Sequence, residues 1–431
     1  MTRLTTVLLI LGGWFPPALA GDWPAFRGPQ GNGISTERNI PVGWSAADVA
    51  WAVDLPMPGN SSPIVHGERV FLTGAVEGGA ERVLMCFDRA DGKMLWHNAI
   101  RFEGTEATHE TNPYCSSTPV TDGKRIFVWH GSAGIAAYDF DGQQLWHVDL
   151  GAFEHIWGNA ASPVLFEDTV ILHAGPGPRV LLMALDKATG SPVWSKELAE
   201  ATGPAHGKGP GEWKGSWSTP IIDVNPATGQ PELVLSLPQY VAGFNPRTGQ
   251  EYWRCTGLSD LVYTSPVVGK DVIIAMSGFM GPSIGLRRPG PEAKGDVTQT
   301  HRLWRVEKNP QRIGTGVLLG DHLFIVNEPG VAECIEAKTG QSLWKERLGA
   351  TTWGSPVYTQ GRLFVADNHG MTHIFAARPD SFHLLGRNPP PEATSSQETG
   401  PQVTRATVAL SDGQIFLRTY EKLYCIGKRS K

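Results

Sequence analysis

Five aromatic residues recur at one kind of place in the chain. Tyr114, Trp157, Trp217, Tyr263 and Trp353 each stand a few residues ahead of a Ser-Pro or Thr-Pro dipeptide. Brought together, such rings form a collar that stacks on a planar cofactor, a sugar ring or a peptide. Kept apart, they are wedges between packed sheets, the commoner fate of large aromatics. Polar candidates accompany them in four long stretches, and long loops are usually functional or disordered. Arg101 to Cys115 carries Glu103, Glu106, His109, Glu110 and Asn112; Phe153 to Asn159 carries Glu154 and His155. Leu198 to Trp217 carries His206, Lys208, Glu212, Trp213 and Lys214, and Ser277 to Asp296 carries Phe279, Met280, Arg287 and Arg288. Arg287-Arg288 on a Gly/Pro-rich loop suits an anion through charge-assisted hydrogen bonds, or is a solvated surface pair with no ligand.

Metal and covalent chemistry are poorly supported. His109-Glu110, Asn112 and His155 lie in successive loops, but His, Glu and Asn without tight spacing define no particular metal, and none is assigned. His369 and His373 are four apart on what should be a hairpin, so the helical zinc spacing does not apply. No serine nucleophile is supported, and no catalytic residue is assigned.

The elements that position these residues are repeats. Cys86-Phe-Asp-Arg-Ala-Asp-Gly-Lys-Met-Leu-Trp96 recurs as Ala184-Leu-Asp-Lys-Ala-Thr-Gly-Ser-Pro-Val-Trp194, as Gly243 to Trp253 and as Cys334 to Trp344, with a shorter copy ending at Trp146. Each copy reads as strand, tight turn, strand, the turn opened by Asp, Asn or Glu and completed by a glycine able to take positive φ. Ser62-Pro63, Thr118-Pro119, Ser162-Pro163, Thr219-Pro220, Ser265-Pro266 and Ser355-Pro356, with Gly316-Val317 and Thr407-Val408 as degenerate versions, mark where inner strands begin, because Pro at a strand start costs no ladder bond.

Inner strands therefore start at 64, 120, 164, 221, 267, 317, 357 and 408. Each is followed by a β-branched run and then the repeat, which makes eight units of four strands. Such sheets cannot bury both faces alone, and radial packing into an eight-bladed, all-β propeller solves this. The outer-strand positions Trp51, Trp96, Trp146, Trp194, Trp253, Trp304 and Trp344, with Leu385 in the eighth place, are expected to dock neighbouring blades. Trp51 precedes the first inner strand, so the strand around Val49 to Val53 should complete the last blade and close the ring.

These residues resemble the pyrroloquinoline-quinone-like β-propeller repeat family, whose Ala-x-Asp-x-x-Thr-Gly-x-x-x-Trp docking motif is matched almost fully by Ala184 to Trp194. The resemblance covers about residues 45 to 427 and implies the fold, with the Trp as a structural rivet. Asp22-Trp-Pro-Ala-Phe-Arg-Gly-Pro29 is similar to the start of secreted members. The family implies two kinds of function. One is a non-enzymatic binding or assembly scaffold. The other is a quinone-dependent alcohol dehydrogenase holding pyrroloquinoline quinone and Ca²⁺, in which the aromatic collar would stack the quinone while Arg287 or Lys214 paired with its carboxylates. The chain departs from both precedents. It has no adjacent cysteine pair, no Cys-x-x-Cys-His for covalent haem, and Gly21 where the assembly lipoprotein carries a lipidated cysteine. An oxidoreductase also requires the collar and an acidic side chain to converge within ~5 Å of one ligand volume.

Composition sets the remaining bounds. The 431 residues include 51 Gly and 33 Pro, well above the roughly 12% of average usage, which argues against long helices. Hydrophobic residues make up 41% and charged residues 18%, too apolar for disorder. Residues 1–20 read as an export signal: Arg3, an apolar run from Thr5 to Phe15, and Ala18-Leu19-Ala20 as cleavage site. Residues 21–44 form a non-repetitive arm, 45–427 the propeller, and 428–431 a basic tail. Past residue 20 no apolar run is long enough to span a bilayer. Without a basic run, a nucleic-acid groove has no electrostatic footprint. Five cysteines (Cys86, Cys115, Cys255, Cys334, Cys425) are too sparse for a disulfide framework, and three sit at one repeated buried position. The expectation is an exported, periplasmic or extracellular monomer that binds a protein, peptide or glycan, with no cofactor assigned; quinone and Ca²⁺ belong to the alternative.

Overall fold

The computed structural model describes residues 21–205, 212–278, 280–308, 313–390 and 403–429. The export signal 1–20, the last two residues of the tail, and His206, Lys208 and Phe279 lie outside them. Eight antiparallel sheets follow one another around a ring, covering 64–101, 120–148, 164–197, 221–256, 267–306, 317–347, 357–388 and 409–426. Seven inner strands start where the Pro signal puts them and the eighth starts at Ala409. The last sheet has three strands of its own and takes Val49–Asp54 as its fourth, with Trp51 opposite Cys425. The ring thus closes by pairing the two ends of the chain, and the added strand covers an edge of the last blade that would otherwise be open.

The tryptophans dock blades through one repeated contact. The Trp51 indole N–H donates to the carbonyl of Arg89 in the next blade at 2.8 Å, and Trp96, Trp146, Trp194, Trp304 and Trp344 donate likewise to Phe140, Lys187, Pro246, Ala337 and Arg378. The turn glycine lies flat under the preceding blade's indole: Gly92 has φ 74°, and a Cβ there would come within 2.5 Å of Trp51. Positive φ and indole contact both demand glycine at this position. A small residue faces each indole across the strand pair, as Cys86 does Trp96 and Cys334 does Trp344. The cysteines are therefore spacers. All five are free and buried, and burial pushes the thiols of Cys86, Cys334 and Cys425 up to about 12.

Trp253 departs from this scheme. It is 1% exposed and donates to Glu232 Oε1 of its own blade at 2.7 Å, not to the next blade. The fifth blade lacks the acidic-to-glycine turn that supplies the acceptor carbonyl elsewhere. Its chain instead leaves Ser283–Arg287, lays Gly295–Asp296 parallel along Glu251–Thr256, and passes through the short helix Thr298–His301.

The arm crosses the channel. Trp23 exchanges backbone hydrogen bonds with Val65 of the first blade at 2.8 and 2.9 Å, and Gly33 and Ser35 pair with Tyr358 of the seventh at 2.8 Å. Between them Arg27, 1% exposed, donates to the Gly316 carbonyl at 2.6 Å. The arm thereby covers the channel at the end where the inner strands finish, leaving the end where they begin.

Candidate functional site

The dipeptides that mark the inner strands also build the neck of the channel. Each hydroxyl there accepts the backbone N–H of its counterpart in the preceding blade. Ser62 N–H donates to Thr118 Oγ1 at 3.0 Å, and the series continues through Ser162, Thr219, Ser265, Thr315, Ser355 and Thr407. Thr407 N–H returns to Ser62 Oγ at 3.0 Å, so eight bonds close a full circle. Serine or threonine precedes every inner strand because one oxygen must accept at that place. One lone pair of each oxygen is engaged by the neighbour's N–H, and the hydroxyl proton and the second lone pair remain for the channel.

Above this ring lies a cavity of ≈ 140 Å³. Trp157, Trp217, Tyr263 and Trp353 line it with Asn60, Asn112 and Arg405, and Phe26 of the arm reaches it from the far end. Trp217 and Tyr263 stack at 4.8 Å and 3°, with the Trp217 indole N–H fixed by the Gly158 carbonyl at 2.7 Å. Trp157 is held by Asn112, whose amide donates to its carbonyl at 2.6 Å, and by the His109 ring 4.3 Å away. Trp353 carries the Arg405 guanidinium over its face at 5.0 Å and donates its indole N–H to Glu328 at 3.3 Å. Burial pushes the Arg405 guanidinium down from its ordinary value, and its Nε has no hydrogen-bond partner among the described residues. One half-buried cation, aromatic walls and a floor of hydroxyl donors make a site for a small anionic or ring-shaped group.

The remaining candidates lie elsewhere. Tyr114 turns away from the collar: it stacks under Arg82 at 3.8 Å and donates its hydroxyl to the Glu106 carbonyl at 2.9 Å. Glu106 there pairs with Arg82 at 3.2 Å and accepts from Asn159 at 2.6 Å, and burial pushes its carboxyl up. This buried cluster shapes the 102–119 loop. His155 is 0% exposed, edge-on beneath Trp217, and supports the collar from behind. Lys214 donates to the Glu200 carbonyl at the rim. Arg287 is exposed at the far end of its strand. Arg288 is 7% exposed and pairs with Asp223 at 2.8 Å and Glu232 at 3.7 Å, next to Trp253. Channel-mouth positions were expected for Tyr114, His109, His155, Lys214, Arg287 and Arg288, and none of the six lines the cavity. Arg405 was missed in the sequence because it precedes Thr407-Val408, the start that lacks both proline and an aromatic.

A calcium-held quinone does not fit this lining. No Asp or Glu lines the cavity, so the ion would have no carboxylate, and hard Ca²⁺ requires several oxygen ligands including carboxylates. Among the described residues no group of three His, Cys, Asp or Glu is placed to hold a metal.

Eight four-stranded blades, tryptophan docking and a hydroxyl-ringed hub define the pyrroloquinoline-quinone-like class of propellers. Within that class the chain belongs to the family of the outer membrane protein assembly factor BamB, whose model matches residues 42–228 and 293–422. The unmatched stretch, 229–292, holds Trp253 and the first three strands of the fifth blade. No curated protein matches the chain. Among solved structures, BamB from Moraxella catarrhalis aligns with TM-score 0.58 and 14% identity over 88% of this chain and 96% of its own. A quinohemoprotein alcohol dehydrogenase from Comamonas testosteroni aligns with TM-score 0.66 and 13% identity over 95% and 82%, and one from Pseudomonas putida with 0.62 and 13% over 95% and 81%. At these identities the likeness is one of fold. No helix among the described residues is long and apolar enough to cross a membrane.

Proposed function

We propose that the protein is an exported binding scaffold that engages a protein partner on the channel end left uncovered by the arm, seating one side chain of that partner in the hub cavity. The observation that carries this is the lining itself: Trp157, Trp217, Tyr263 and Trp353 around Arg405, with no acid among the described residues that line it. Aromatic residues and arginine are the usual anchors of protein interfaces. The cavity size favours one ring or one carboxylate-bearing side chain over a large cofactor, and membership of an assembly-factor family favours a protein partner over a glycan. Export to the periplasm and action as a monomer belong to the same proposal.

The test is selection of peptides from a displayed library against the purified exported protein, with binding followed by tryptophan fluorescence. Peptides sharing an acidic or aromatic anchor, whose binding disappears in Trp353→Ala and Arg405→Ala, support the proposal. Saturable micromolar binding of pyrroloquinoline quinone with Ca²⁺ would replace it with an oxidoreductase. Competition by simple sugars would replace it with glycan recognition.

A further inference from the structure

The arm begins between two carboxylates. Gly21 has φ 110°, and a Cβ built on it would lie 3.1 Å from Asp412 Cγ and 3.2 and 3.4 Å from its two oxygens. This position accepts glycine alone, and the nitrogen on the same α-carbon shares the acidic surroundings. From the arm itself, the Glu37 carboxylate lies near the backbone N–H groups of Asp412, Gly413 and Gly21, whose dipoles pull against the burial that pushes it up. Burial and the Asp412 charge push the Glu37 carboxyl up, and among the described residues no cationic side chain pairs with it. Asp412 pairs with Arg429 at 3.2 Å, which is shared with Glu68, and the Arg89 charge also acts on it, so two guanidiniums face the three acids Glu37, Glu68 and Asp412. Two half-buried acids thus surround a neutral peptide N–H, an arrangement with a charge deficit.

The sequence supplies the missing charge. Ala18-Leu19-Ala20 ends a small-residue cleavage pattern one position before Gly21. We propose that the chain is cut between Ala20 and Gly21, and that the ammonium released on Gly21 is held by Glu37 and Asp412, locking the arm onto the closing blade. In the cut, a signal peptidase adds water across the Ala20–Gly21 bond. The C–N bond breaks, Ala20 leaves as a carboxylate, and the Gly21 nitrogen takes up a proton. Neighbouring contacts already fix the place: Ser411 Oγ donates to the Gly21 carbonyl, and Asp22 accepts from Gly67 N–H at 2.9 Å and pairs with His66 at 2.8 Å. Processing would therefore strengthen the closure of the ring rather than merely remove a leader.

The full precursor, exported from its host and purified, gives the first reading by intact mass and N-terminal sequencing: a start at Gly21 is expected, and any other start overturns the proposal. The second reading is the pKa of the Gly21 amine, expected at least one unit above the ordinary value of about 8; an ordinary value overturns the pairing. The third compares thermal midpoints of the mature protein with a free and an acetylated Gly21 amine. Acetylation should lower the midpoint by about 2 °C or more in the native protein, and by less than half as much in Glu37→Gln. An equal drop in both means that Glu37 serves only the amides, which overturns the proposal. Asp412→Asn provides the same comparison if Glu37→Gln fails to fold.

Discussion

Arg405 is the side chain on which binding at the hub turns. It rests on Trp353 at 5.0 Å, its Nε lacks a partner, and no acid lines the cavity it faces. A ligand carboxylate would gain a charge-assisted bond of about 1.5–3 kcal/mol there. Arg405→Ala should thus weaken an anionic peptide about 10- to 100-fold, and Arg405→Lys should recover only part of this because lysine cannot stack and fork together. Equal affinity of all three proteins by fluorescence titration would remove Arg405 from the site. Buried histidines set a second residue-level behaviour. Burial holds His130 down to about 3 and His173 down to about 4, so both are neutral in the fold while the unfolded chain protonates them below about 6.5. Their contribution is complete above that pH and is lost as pH falls toward the folded values, by up to about 1.4 kcal/mol per pH unit for each. Glu106 and Glu232, whose carboxyls burial pushes up, act in the opposite sense at lower pH. A single-site variant separates the terms: His130→Phe should flatten the fall in urea midpoint between pH 7 and pH 5. Both ring nitrogens of His130 lack partners among the described residues, so the change should leave stability at pH 7 nearly untouched. An unchanged slope would show that His130 is not the group taking up the proton.

At the level of elements, the docking indoles differ in what they lose. Trp194 is half-buried and donates to Pro246 at 3.0 Å; Trp253 is buried and its removal would leave Glu232 short of a donor. Trp194→Ala should cost about 2–3 kcal/mol, and Trp253→Ala about 3–5 kcal/mol or more, measured by urea unfolding. A smaller cost for Trp253 would contradict the buried Glu232 contact. The contrast also marks how far the sequence could be read. Strand starts, the Trp register and ring closure were legible because proline, glycine and tryptophan act locally or at a fixed period. The Trp253 exception was not, since it depends on a turn missing from the following blade. Four of the five collar aromatics line one cavity, yet Tyr114 leaves it for Arg82 and Glu106, a partnership that only the folded 102–119 loop creates. The hydroxyl ring stood in plain view as Ser-Pro and Thr-Pro. Seven of its bonds join residues 40 to 57 positions apart and the eighth joins residues 345 apart, so the prolines gave the strand starts and concealed the role of the residue before them.

For the whole molecule, closure and strapping are separable. Val49–Asp54 completes the last sheet against Lys422–Ile426, and Trp51 docks that sheet onto the first blade at Arg89. Arg89 in turn reaches back across the seam to Gln414 at 3.0 Å and the Ser411 carbonyl at 2.9 Å. The seam is therefore held by a strand, an indole and a buried guanidinium. The arm adds bridges at the first and seventh blades and a Ser411 contact on the eighth, but no member of any blade. A chain beginning at residue 45 should keep a closed ring and melt in one cooperative transition at a lower midpoint, because Trp23 and Arg27 no longer cover the hub. A chain beginning at residue 56 loses the closing strand as well. It exposes the edge of Lys422–Ile426 and half of the seam, and an unpaired edge next to a buried face is a template for association. It should melt broadly, aggregate on size-exclusion chromatography and be cut by protease within 409–426 first. Calorimetry and limited proteolysis of the two shortened proteins decide the matter. If the chain beginning at residue 56 melts as sharply as the one beginning at residue 45, the ring is held by its hub of eight hydroxyl bonds rather than by its seam.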